Sequence, residues 1–190
     1  MINPTRSATA AAVACLAVLA WAPVARAQEA LSVAAVSQLR TRYLTDLDSV
    51  HVKMLALAEA IPADKYAWRP GPGVRSASEV MMHMAGEWYF YCPQSVGAAP
   101  PADFGVPKDK LAALEKVTDK AAVLAEMRKS WSHCAAQVAA VNPSGLTAKY
   151  KPWGVTLDEA AFGMTGDQHE HLGQLIAYAR SVGVKPPWTK

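Results

Sequence analysis

Apolar residues recur along this chain at three- and four-residue steps in four long stretches, set apart by Pro- and Gly-containing segments. That period marks the buried stripe of an amphipathic helix. The first stretch runs from about Val33 to Ile61. Val36, Tyr43, Val50 and Leu57 share one register, Leu47, Met54 and Ile61 fill the alternate one, and Pro62 stops it. The second runs from Ser76 to about Tyr91, with Val80, Met84, Trp88 and Tyr91 as its apolar side and Pro93 as its end. It opens on Ser76-Ala-Ser-Glu79, a capping box whose two side chains satisfy free backbone donors at the helix start. The third runs from about Thr118 to Val141, with Leu124, Trp131 and Val138 in one register and Met127, Cys134 and Val141 in the other. The fourth opens on a second capping box, Thr156-Leu-Asp-Glu159, and runs to about Val182, where Gly183 suits a C-cap.

Strand patterns are almost absent, so the expected fold is all-α, a four-helix bundle. The first and last connections are 14 residues each, whereas Cys92 to Val117 spans 26. A connector of that length predicts a crossover along the bundle with helices 2 and 3 running parallel, and residues 108–116 suit a short helix within it. Cys92 lies 16 residues past Ser76, and Cys134 lies 16 past Thr118. At about 1.5 Å per residue, parallel helices starting level place both thiols at one height. A disulfide and two free thiols both remain open.

The N-terminus changes the count of folded residues. Arg6 supplies a basic n-region, Ala8 to Ala20 an apolar h-region, and Ala25-Arg26-Ala27 an A-x-A cleavage site before Gln28. This is the pattern of a secretory signal peptide over residues 1–27, too short to span a membrane comfortably, so no stable insertion is expected after cleavage. The expected location is periplasmic or secreted. Residues 28–190 make one domain with room for a full core. They carry 17 basic and 16 acidic residues, with no basic stripe, so nucleic-acid binding has no electrostatic support. The two remaining cysteines are too few for a disulfide framework and form no CxxC pair.

The candidate chemistry gathers on helices 2 and 4. Asp167 and His171 are four apart, on one helix face, and are expected to fall on the buried stripe of Met164, Leu175, Tyr178 and Val182. Polar groups on a buried face need a partner, and His83 on helix 2 offers one. Two His and a carboxylate suit zinc, nickel or iron, with positions left open for water or substrate. The alternative is a hydrogen-bonded Asp167–His171 pair capped by His83, without metal. Glu87 has three readings: a solvated helix face, which is the default, an added ligand or orienter of His83, or a catalytic base. His169 points about 200° away from the pair and is expected in solvent. His51 and His133 are read as boundary or surface histidines. No Gly-x-Ser-x-Gly, phosphate-binding glycine loop or HExxH is present.

Ile61-Pro-Ala-Asp-Lys-Tyr-Ala-Trp-Arg-Pro-Gly-Pro-Gly-Val-Arg-Ser76, then the helix bearing His83, then His171-Leu-Gly-Gln174, resemble the DinB-like (YfiT-like) superfamily. The resemblance covers essentially all of residues 28–190. It implies a four-helix bundle with a long crossover between helices 2 and 3, and a divalent metal, zinc first, with nickel or iron as alternatives. The family's ligands are one His from helix 2 and two from helix 4. They carry over to His83 and His171, while the remaining position is Asp167, a departure that replaces imidazole with carboxylate. The resemblance also implies small-molecule chemistry: thiol-dependent transfer or isomerisation in some members, amide hydrolysis in others. Export favours a hydrolase, because cytosolic thiols are scarce outside the inner membrane. In that reading a water activated by the metal attacks a small-molecule substrate, with Glu87 as base. The competing expectations are a non-catalytic ligand-binding or structural bundle, with a degenerate metal site, and a homodimer formed through a helix face.

Overall fold

Residues 31–146 and 152–189 are described by a computed structural model. The signal-peptide reading of residues 1–27 lies outside them. Among the described residues there are six α-helices and no strand: α1 Val33–Ala60, α2 Ala77–Tyr89, α3 Tyr91–Ser95, α4 Pro107–Leu114, α5 Lys120–Ala140 and α6 Leu157–Ser181. Helices α1, α2, α5 and α6 are the four that the apolar periodicity predicts. Both capping boxes form, at Ser76/Glu79 and Thr156/Glu159. The third long helix starts one step later than expected, because Asp119 rather than Thr118 accepts the Ala122 N–H. Ile61 ends α1 in an extended conformation, as the proline that follows it demands.

Helix α1 packs chiefly against α6 and α5, whereas α2 packs chiefly against α5, with α3, α4 and α6 around it. Pairs of contacts fix the directions. Lys120 donates to the carbonyls of Glu59 and Ile61, while Arg40 donates to the carbonyl of Val141, so α1 and α5 are antiparallel. Tyr89 bonds Glu126 and Cys92 bonds Cys134, so α2 and α5 run parallel, joined by the long connector. The Cys92–Cys134 disulfide is formed. Leu47, Met54, Leu57, Val80, Met84, Trp88, Met127, Val138 and Leu175 fill the core with no exposed surface, each contributing about 2 kcal/mol of burial. No described helix is long and apolar enough to cross a membrane.

Two local departures bear on the site. Pro93 does not end the second helix. Phe90 interrupts it (φ −116°, ψ −64°), and Pro93 sits in the first turn of α3, where its missing N–H costs nothing. Second, α2 is buried on nearly all sides rather than along one stripe. Its outer side is covered by α4, which approaches at Gly86. A Cβ there would collide with Leu111 Cδ2. This close approach brings Glu115, the residue capping the C-terminus of α4, to the side of α2 that carries His83.

Candidate metal centre

Antiparallel α2 and α6 face each other with one chemical pair per helix: His83 and Glu87 on α2, Asp167 and His171 on α6. Glu87 Oε1 lies 3.0 Å from His83 Nε2 and 3.8 Å from His171 Nε2. One ligand atom from each of His83, Glu87 and His171 lies within 4.8 Å of the other two. The two imidazoles meet edge to face, with centroids 4.9 Å apart.

Each member of this trio is held from behind. His83 Nδ1 lies 3.1 Å from Glu115 Oε1, and Arg75 in turn pairs with Glu115. His171 Nδ1 lies 3.1 Å from Gln174 Oε1, and Gln174 donates onward to the Tyr178 hydroxyl. Glu87 Oε2 accepts from Gln168 Nε2 at 2.5 Å, and Gln168 Oε1 accepts from the Trp88 indole at 2.6 Å. Nδ1 donation to these oxygens is the tautomer in which each Nε2 could bind a cation; at His83 that same Nε2 lies 3.0 Å from Glu87 Oε1, a hydrogen bond that a bound cation would replace. Outer partners of this kind fix the tautomer and orientation of metal-binding histidines.

Glu87 is only 4% exposed, which overturns the solvated-face reading. Burial pushes its carboxyl above the usual range. The His83 bond opposes that rise, and a hydrogen bond and like charge from Asp167 add to it. His83 is raised as well, chiefly by its bond to Glu87, with burial acting against it. A buried carboxylate beside a second carboxylate and two imidazoles is a donor set that a divalent cation fits, since the cation would offset the crowded negative charge.

Asp167 occupies the solvent edge of the cluster. Its side chain is 44% exposed, and Oδ1 stands 3.8 Å from His171 Nε2. The residue on the fully buried stripe of α6 is instead Gln168, one position on, between Met164 and Leu172. The structure groups His83 and His171 with Glu87 and leaves Asp167, which the sequence reading makes a ligand, outside that group, 3.8 Å from His171. Gln168 and Glu115 went unnoticed in the sequence, and Gln174 was read only as part of the motif His171-Leu-Gly-Gln174, with no role of its own. Gln168 did leave a signal: it lies four residues from apolar partners in both directions.

The remaining histidines lie elsewhere. His169 is exposed and pairs with Asp46 at 3.0 Å. His133 Nε2 meets the carbonyl of Ala99. His51 stacks on Trp131 at 4.6 Å and meets Trp88 edge-on at 5.4 Å, with no hydrogen-bond partner for either buried ring nitrogen. Its intermediate exposure is that of a boundary histidine, with both ring nitrogens turned inward.

Beside the trio opens a cavity of about 460 Å³. Glu87 and Asp167 mark one part of its lining, and Tyr91, Trp153, Val155 and Met164 give it apolar walls. No curated relative matches the chain. A family model described as the DinB superfamily matches residues 46–175, a stretch that takes in His83, Glu87, Asp167 and His171. The chain belongs to the DinB superfamily.

Proposed function

We propose that this protein is an exported, metal-dependent hydrolase of small molecules, with His83, Glu87 and His171 as the metal ligands. The observation that carries the reading is the hydrogen-bond support behind all three: Glu115, Gln174 and Gln168 each bind the far atom of one ligand. A bound divalent cation, zinc before nickel or iron, would supply Lewis acidity and lower the pKa of a water to near neutrality. Three protein ligands leave coordination open, in the style of catalytic rather than structural zinc sites. Asp167, half in solvent at the cavity, then accepts a proton at Oδ1. This exchanges the roles that the sequence alone suggests for Asp167 and Glu87, because Glu87 is locked in place by Gln168 and Asp167 is not. The cavity admits a small substrate to the same place. Export is supported by the signal-like residues 1–27 and by the Cys92–Cys134 disulfide, which persists in oxidising compartments.

A second reading, a non-catalytic bundle, draws on one observation: Glu87 Oε1 and His83 Nε2 lie 3.0 Å apart, close enough to satisfy each other by a hydrogen bond. Metal content by mass spectrometry on residues 28–190 separates the two. The expected result is about one metal per chain, lost in Glu87→Gln and His171→Ala. Asp167→Ala should keep the metal and lose hydrolysis across a panel of esters and amides. No metal after reconstitution leaves the non-catalytic bundle. Metal lost equally from Asp167→Ala returns that residue to the ligand set.

A further inference from the structure

The cavity beside the trio carries two features that folding does not explain. Trp153 is the only non-glycine residue with positive φ among the described residues (φ 53°, ψ 22°). A bulky side chain in the left-handed region is strained, and strain of this kind concentrates at functional sites. Trp153 gains little packing in return, since it remains 49% exposed. Its indole is nevertheless fixed: Nε1 donates to Gln94 Oε1 at 3.1 Å, and its ring lies 6.2 Å from that of Tyr91, inclined by 57°. The second feature is Gly163, in the middle of α6. It lacks a positive φ, and a Cβ added to it would meet no atom within 4 Å. Neither backbone conformation nor packing requires glycine there, yet a glycine inside a helix is destabilising relative to alanine. With Ala160 one turn before it, Gly163 leaves the α6 side of the cavity bare.

We infer that this cavity is a slot for a planar aromatic ring, so that the substrate is a small aromatic amide or ester whose polar group reaches Glu87 and Asp167. Trp153 and Tyr91 contribute aromatic rings to the cavity's lining, and Gly163 keeps the space that a side chain would fill. Flat rings gain most from such walls, through stacked and edge-to-face contact. A volume of about 460 Å³ has room for a single ring with a short substituent. Trp153 and Gly163 are then specificity-determining residues, remote from the bond that breaks. The inference rests on the metal reading above and deepens it.

Two hydroxamic acids test it, because they share a metal-chelating head and differ in the ring. Benzohydroxamic and acetohydroxamic acid are titrated calorimetrically into the zinc-loaded protein. The aromatic probe should bind roughly tenfold more tightly, the scale of a ring buried in an apolar pocket. Gly163→Leu should remove that preference by filling the slot, and Trp153→Ala should weaken it, while acetohydroxamate affinity stays unchanged in both. Circular dichroism confirms that each variant is folded, and Trp153→Ala decides the matter should Gly163→Leu not fold. Equal binding of the two probes to the unaltered protein overturns the slot, as does equal weakening of both by either variant. Absence of retained zinc, or of any hydroxamate binding, is a different failure: it removes the metal reading and this inference with it.

Discussion

At the scale of single residues, polar groups in the core decide the chemistry, and they separate into satisfied and unsatisfied ones. Gln168 is completely buried and fully used, linking Trp88 to Glu87. His51 is partly buried, and its two enclosed ring nitrogens make no hydrogen bond. Burial lowers its pKa to about 4; nearby Asp48 opposes that shift, and Arg128 reinforces it. A histidine held neutral in the folded state takes up protons more readily when the chain unfolds. Its contribution to stability is therefore complete above about pH 6.5, the unfolded value, and is lost as pH falls from there towards 4. Thermal melts between those pH values should show a midpoint that drops with acid, and His51→Phe should flatten that slope. A slope unaltered by the substitution would assign the acid sensitivity elsewhere. His51 also shows what a linear pattern hides. Its position beside Val50 marks a boundary residue, whereas the two indoles that enclose it come from α2 and α5. In the same way the apolar stripe placed Asp167 and His171 together on α6, but the choice between residue 167 and residue 168 as the buried position needed the facing helix.

Among the elements, the short helix α4 carries more of the site than its eight residues suggest. It covers the outer side of α2 through the gap at Gly86 and delivers Glu115 to His83. Gly86→Val is expected to displace α4, and with it the carboxylate that orients the His83 ring. Loss of such an outer partner lowers metal affinity by about 10- to 100-fold. Competition with a chromogenic zinc chelator would measure this, and affinity equal to the unaltered protein would show that Glu115 is not an orienter. The long helices were legible because each has a three-four repeat of apolar residues, two open on capping boxes, and Pro62 and Gly183 mark two of the ends, whereas Pro93 falls inside the following helix. The crossover was legible from length alone. Helix α4 was visible only as a stretch suited to a short helix, and the site's dependence on it was invisible. Local sequence does not encode that a glycine on one helix and a leucine 25 residues later will touch.

Across the whole molecule, one covalent link and one polar cluster tie the crossover into the bundle. The Cys92–Cys134 disulfide closes a sequence separation of 42 residues that contains α4. Loop entropy at that length corresponds to about 4 kcal/mol of stabilisation. Urea unfolding of the Cys92→Ala/Cys134→Ala protein should fall short of the unaltered protein by up to that amount. Equal stability would mean that the crossover is already constrained by its packing. The polar cluster has a consequence for the order of events in the life of the chain. Glu115, Gln174 and Gln168 reach the three donors from outside the centre, and the apolar core that carries their helices is built without those donors. Small domains that fold only around zinc must take it where they are made. A bundle with a core of its own would be folded before it took up the metal proposed above, and with the export proposed above the ion would be chosen by what the receiving compartment supplies, not by the cytosol that synthesised the protein.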